Sequence, residues 1–147
     1  MNQRLAAAEA ALQAGCGPEA IEHLIGAITE DPAQTMQVYR ALVMQFYRAK
    51  RHGEGVAWSD KALARFPRDL DLWNLRGVML RQLKRFPEAL AAYDQALKIR
   101  PGYVPTLSNR GNVYVDMKDG VRAEAALQAG CGPEAIEHLI GAITEDP

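Results

Sequence analysis

Leu70 to Pro101 reads LDLWNLRGVMLRQLKRFPEALAAYDQALKIRP, and this stretch decides how the chain folds. Apolar residues recur in it at three- and four-residue spacing, the period of a helix with one buried face. No sustained alternation argues for a strand. KRFPE at 84–88 interrupts the pattern and splits it into two helices. A proline costs little where a helix starts, because the first amide has no intrahelical acceptor. Gly77 and Ala89 are small where the helices of such a hairpin approach closely, and Ala96 lets a following hairpin dock. Trp73, Leu80 and Tyr93 fill the space between them.

The same punctuation extends in both directions. Turns are marked by GCGP at 15–18, DPAQ at 31–34, KRHGE at 50–54, FPRD at 66–69 and RPGY at 100–103. Between them lie segments of about a dozen to sixteen residues, the length of ordinary packed helices. Pro32, Pro67 and Pro101 close successive units, 35 and then 34 residues apart. The chain reads as a string of short antiparallel helical hairpins.

This pattern resembles the tetratricopeptide repeat, a 34-residue helix–turn–helix marked by W-x2-L-G-x2-Y, A-x3-F and P. Trp73, Gly77, Phe86, Ala89, Tyr93, Ala96, Leu97 and Pro101 stand in the expected places. Met36 to Pro67 keeps Tyr39, Phe46, Ala62 and Pro67, with Val43 and Gly55 at the small positions and Trp58 one place early. The first unit keeps Ala8, Gly15, Ala20, Ala27 and Pro32, with Arg4 where an aromatic is usual. A fourth opens with LSNRGNVY at 107–114. The resemblance implies an all-α solenoid of antiparallel hairpins forming a right-handed superhelix, as one domain over 1–147. Its units are 1–32, 33–67 and 68–101, followed by a partial fourth at 102–122.

Residues 123–147 repeat residues 8–32 letter for letter, AEAALQAGCGPEAIEHLIGAITEDP, at a constant offset of 115. Surface positions match as fully as apolar ones, which points to a recent duplication or an engineered sequence. Two readings of the join follow. In the preferred one, the fourth unit has a shortened second helix with Ala123 and Leu127 at the small and aromatic positions. In the other, one long helix runs from Val104 to Ala129 through Gly120, where a mid-helix glycine costs about 1 kcal/mol.

Composition removes several function classes. A net charge of −1 with 48% apolar residues gives no broad electrostatic drive toward nucleic acid or anionic membrane. Arg48, Lys50, Arg51 and His52 cluster where a helix ends and complement its dipole. No stretch is apolar and long enough to span a bilayer, and Glu9 interrupts any signal-like N-terminus, so a cytoplasmic location is expected. Cys16 and Cys131 are the same turn residue in the two copies, without neighbours at metal-ligand spacing. His23 and His138 fall on second helices and His52 in a turn, while Asp60 and Asp94 read as surface acids. No phosphate loop or nucleophile elbow is present. The expectation is a non-catalytic chain without metal or cofactor.

Binding is the expected role. By the resemblance, first helices line a concave groove for an extended peptide or a partner helix. That groove would show Gln37, Arg40, Met44, Tyr47 and Arg48, then Asp71, Asn74, Val78 and Arg81, then Ser108, Asn109 and Asn112. Asparagine amides both donate to and accept from a peptide backbone, and Arg40 suits a carboxylate. The duplication adds a second expectation. Ile21, Leu24, Ile25 and Ile28 form an apolar stripe that should pack partly on YRALVMQF of the next unit. Their copies Ile136, Leu139, Ile140 and Ile143 have no following helix in this sequence. An uncapped stripe favours head-to-tail self-assembly, so a homo-oligomer is the leading expectation and a monomeric peptide-binding module the alternative.

Overall fold

A computed structural model describes the backbone of residues 3–128 and the side chains of residues 3–120. Ile136, Leu139, Ile140 and Ile143, with the rest of 129–147, lie outside the described residues. Among those described, seven α-helices and no strand occur: α1 (Gln3–Gln13), α2 (Gly17–Glu30), α3 (Met36–Arg48), α4 (His52–Arg65), α5 (Leu70–Gln82), α6 (Phe86–Ile99) and α7 (Val104–Gln128). None is long and apolar enough to cross a membrane.

Three hairpin turns close in one way. The N–H groups of Cys16, Arg51 and Arg85 donate to the carbonyls of Ala11, Phe46 and Leu80, five residues back, at 2.8–2.9 Å. This closure needs left-handed backbone at the preceding residue, supplied by Gly15 (φ 75°), Lys50 (φ 59°) and Lys84 (φ 60°). Pro18 and Pro87 then open α2 and α6. His52 is the first residue of α4 rather than a turn residue, because the turn is completed by Arg51.

Each helix packs on its chain neighbours, and α5 also touches both α3 and α7. Second helices make no such contacts among themselves, so α3, α5 and α7 form the inner row of a curved solenoid. One continuous core runs through the hairpins, with Leu42, Val43, Phe46, Leu72, Met79, Leu80 and Tyr93 fully buried. Ile21, Leu24 and Ile28 of α2 are buried in it as the stripe predicted, with Ile25 packed at its edge. A Cβ at Gly77 would collide with the Tyr93 ring, and one at Gly55 with Met79 Sδ, which explains both small positions.

Surface charge follows the repeat period. Arg76 donates to Asp60 at 2.6 Å and Arg110 to Asp94 at 3.2 Å, each tying a first helix to the preceding second helix. Asp60 and Asp94 are therefore cross-unit partners, although such solvent-facing pairs contribute only roughly 0–1 kcal/mol each.

The preferred two-helix reading of the join is corrected: α7 is continuous through Gly120 to Gln128. Lys118 stands one period beyond Lys84, where a turn would again require left-handed backbone at a non-glycine residue, at a cost on the order of 1 kcal/mol. The segment that would pack back offers Leu127 in place of the Tyr93 ring. The glycine in a continuous helix costs a similar amount, about 1 kcal/mol, so the lost packing of that ring decides against the turn.

Candidate binding groove

The inner row encloses a cleft of about 310 Å³ between α3 and α5. Met44 and Tyr47 line it from α3, Leu75 and Val78 from α5, giving it an apolar wall on each side. Arg40, Asp71 and Asn74 supply polar groups at its margin. Met44 and Tyr47 are exposed although large and apolar. Six residues expected in the groove thus meet in one cleft. Gln37 is exposed on α3 away from this lining, Asn109 reaches it only through Asn74, and Asn112 is exposed on α7.

Asn74 is the best-positioned polar group. Its Oδ1 accepts from Thr106 Oγ1 at 3.1 Å and from Asn109 Nδ2 at 3.3 Å. Two donors from α7 fix which end of the amide is oxygen. The Nδ2 hydrogens have no partner among the described residues and remain available to an acceptor. Thr106 is fully buried, so the pin is set into the core rather than laid on the surface.

Arg40 departs from its expected role as a free receptor for carboxylate. Its Nε and Nη2 donate to Asp69 at 2.7 and 2.9 Å, and Asp71 lies 3.5 Å away. Asp69 is the residue the sequence reading missed. Its buried side chain caps α5, accepting from the N–H groups of Asp71 at 3.0 Å and Leu72 at 3.4 Å. A buried carboxylate requires a countercharge, and Arg40 supplies it from the preceding unit. Hydrogen bonding to Asp69 holds the Arg40 guanidinium above its usual pKa, against the opposing effect of burial. An aspartate directly before the apolar run LDLW was the available signal.

Arg81 is likewise occupied. It donates through Nε to Asp116 on α7 at 2.6 Å, which raises its pKa as the Arg40 bond does. Among the described residues no cluster of His, Cys, Asp or Glu is arranged to hold a metal ion.

A family profile for the tetratricopeptide repeat matches residues 70–103, the unit with which the sequence reading began. This chain therefore carries a tetratricopeptide repeat at 70–103. Its fold is shared with a tetratricopeptide repeat protein from Parabacteroides merdae, at a TM-score of 0.72 and 19% identity over 79% of this chain and 46% of that one. It is also shared with the second such domain of human RPAP3 in complex with an HSP70 peptide, SGPTIEEVD. There the TM-score is 0.68 and identity 16%, over 76% of this chain and 92% of that one. In sequence the repeats are similar to the peroxisomal targeting signal receptor of Candida albicans, 29% identical over 73% of this chain and 16% of the receptor. The chain spans a fifth or less of the curated relatives it matches.

Proposed function

We propose that this repeat array is a non-catalytic protein-interaction module that grips an extended peptide in the cleft between α3 and α5. The observation that carries the reading is the amide of Asn74, whose oxygen is held by Thr106 and Asn109 while its hydrogens stay unpaired at the cleft margin. A backbone carbonyl of a peptide satisfies that donor. An apolar side chain of the same peptide fills the space between Met44, Tyr47, Leu75 and Val78. The peptide complexes formed by a structural neighbour and the similarity to a targeting-signal receptor support this reading.

A random peptide library displayed on phage and panned against the full chain tests it. Selected peptides should weaken about 2–10-fold with Asn74→Ala, the range expected for one hydrogen bond. They should be lost with Val78→Glu, which puts a charge against the apolar wall. Selection of no peptide, or affinities untouched by both changes, would overturn the reading.

Self-assembly through the duplicated hairpin is the second reading. It is favoured by the burial of Ile21, Leu24 and Ile28 in the first copy, since an identical stripe at 136–143 calls for comparable cover. Light scattering on a sizing column should then give a multimer that becomes a monomer when residues 129–147 are deleted. A monomer at every concentration before deletion would refute it.

A further inference from the structure

Two hollows in this molecule are built largely from equivalent positions, 34 residues apart, yet one is charge-balanced, with Asp116 and Asp119 beside Arg81 and Lys84, and the other carries positive charge alone. The first, about 370 Å³, is lined by Tyr47, Arg48, Lys50, His52 and Gln82. The second, about 410 Å³, has Arg81, Gln82, Lys84, Phe86 and Asp116 at the corresponding five places. In the second, Asp116 neutralises Arg81 directly at 2.6 Å. In the first, the place of Asp116 is taken by Gln82, a neutral amide, and the place of Arg81 by Tyr47. Arg48 and Lys50 therefore face the hollow with no carboxylate supplied across it.

The surrounding charges sharpen the contrast. Arg40, Arg51, Arg76, Arg81, Arg85 and Arg110 all have carboxylate partners. Arg48 and Lys50 form no ion pair among the described residues. Two further polar features lie beside this hollow. α4 begins at His52 and receives no side-chain cap from Arg51, so its first amides are unclaimed by a cap. His52 Nδ1 is buried without a hydrogen-bond partner. Two unpaired cations and an amide side chain around one hollow, beside the start of a helix, suit a compact oxyanion.

We propose that this hollow is a subsite for a carboxylate or phosphoryl group, carried by the peptide that occupies the adjoining cleft. Tyr47 lines both spaces, so the two adjoin. The link to a peptide rests on the groove reading given above; the anion site itself does not. It would make the module select peptides bearing an anionic group a short distance beyond an apolar anchor.

The test uses inorganic phosphate and, in a parallel arm, acetate, titrated into the full chain and followed by amide NMR. Saturable shifts are expected at residues 47–53, weakened at least tenfold in Arg48→Gln combined with Lys50→Gln. Gln82→Asp should do the same by supplying the carboxylate that Asp116 provides one unit later; Gln82→Glu repeats this test with one more methylene. Phosphate alone binding assigns a phosphoryl group, acetate alone a carboxylate, and both a general oxyanion subsite. Shifts no larger here than around Lys84, or unmoved by the Gln82 variants, would overturn the proposal. Val78→Glu separates the two readings, because it should abolish peptide binding while leaving the phosphate and acetate titrations unchanged.

Discussion

Among the described residues, the α5–α6 hairpin and the first half of α7 present the same unit with and without a second helix packed on it. Leu72 and Thr106 are equivalent and both fully buried, as are Met79 and Val113. Those positions face the preceding unit, which exists in both cases. Leu80 and Tyr114 are also equivalent, yet Leu80 is fully buried and Tyr114 is 54% exposed. Gly77 lies against the Tyr93 ring, whereas nothing stands within 4 Å of a Cβ built on Gly111. Val104 and Val115 on α7 are exposed as well. A residue's role in this array is therefore set by which neighbour is present, not by its place in the unit alone.

Paired substitutions test that conclusion by chemical denaturation. The largest difference is expected at the buried aliphatic position. Leu80→Ala should cost about 2–5 kcal/mol through the cavity it leaves. Tyr114→Ala should stay within about 0.5 kcal/mol of the parent, as an exposed change with no partner to lose. Equal costs would mean that α7 is covered as α5 is.

The glycines should differ in sign. Gly77→Ala forces a methyl into the Tyr93 ring and should cost about 1–3 kcal/mol. Gly111→Ala meets open space and should gain about 1 kcal/mol from helix propensity. A stabilising Gly77→Ala would show that Tyr93 can move aside.

The smallest effect concerns Tyr93 itself, whose hydroxyl is buried without a partner. Burial pushes its phenol up to about 12 from 10.0, so folding favours the neutral form. That contribution is full below pH 10.0 and is lost as pH rises toward about 12. Tyr93→Phe should match or exceed the parent by up to about 1 kcal/mol at neutral pH. It should also lose less stability than the parent between those two pH values. Parallel pH curves for the two proteins would place the ionising group elsewhere.

Legibility in the sequence followed the range of the interaction. Gly77, Ala89 and Tyr93 could be read because their spacing within one hairpin dictates contact. Most of the cleft could be read because first helices recur at a fixed period. Arg40 with Asp69 could not, since that bond joins side chains 29 positions apart and depends on how units stack. The continuity of α7 was missed because Gly120 reads as a break; what decides against a turn there is the packing available to repay one. The uncompensated charge at Arg48 and Lys50 appears only when Gln82 and Asp116 are set in register.

Contact between near neighbours alone also bears on how the chain reaches this fold. The described helices meet only those adjacent or one removed in sequence, so none of these segments must find a distant one before native contacts begin to form. Low contact order of this kind goes with folding in microseconds to milliseconds. A nucleus could form at any hairpin and spread outward. Unfolding would run the other way, starting where α7 has the least cover and leaving the α3–α6 centre as the last part to melt.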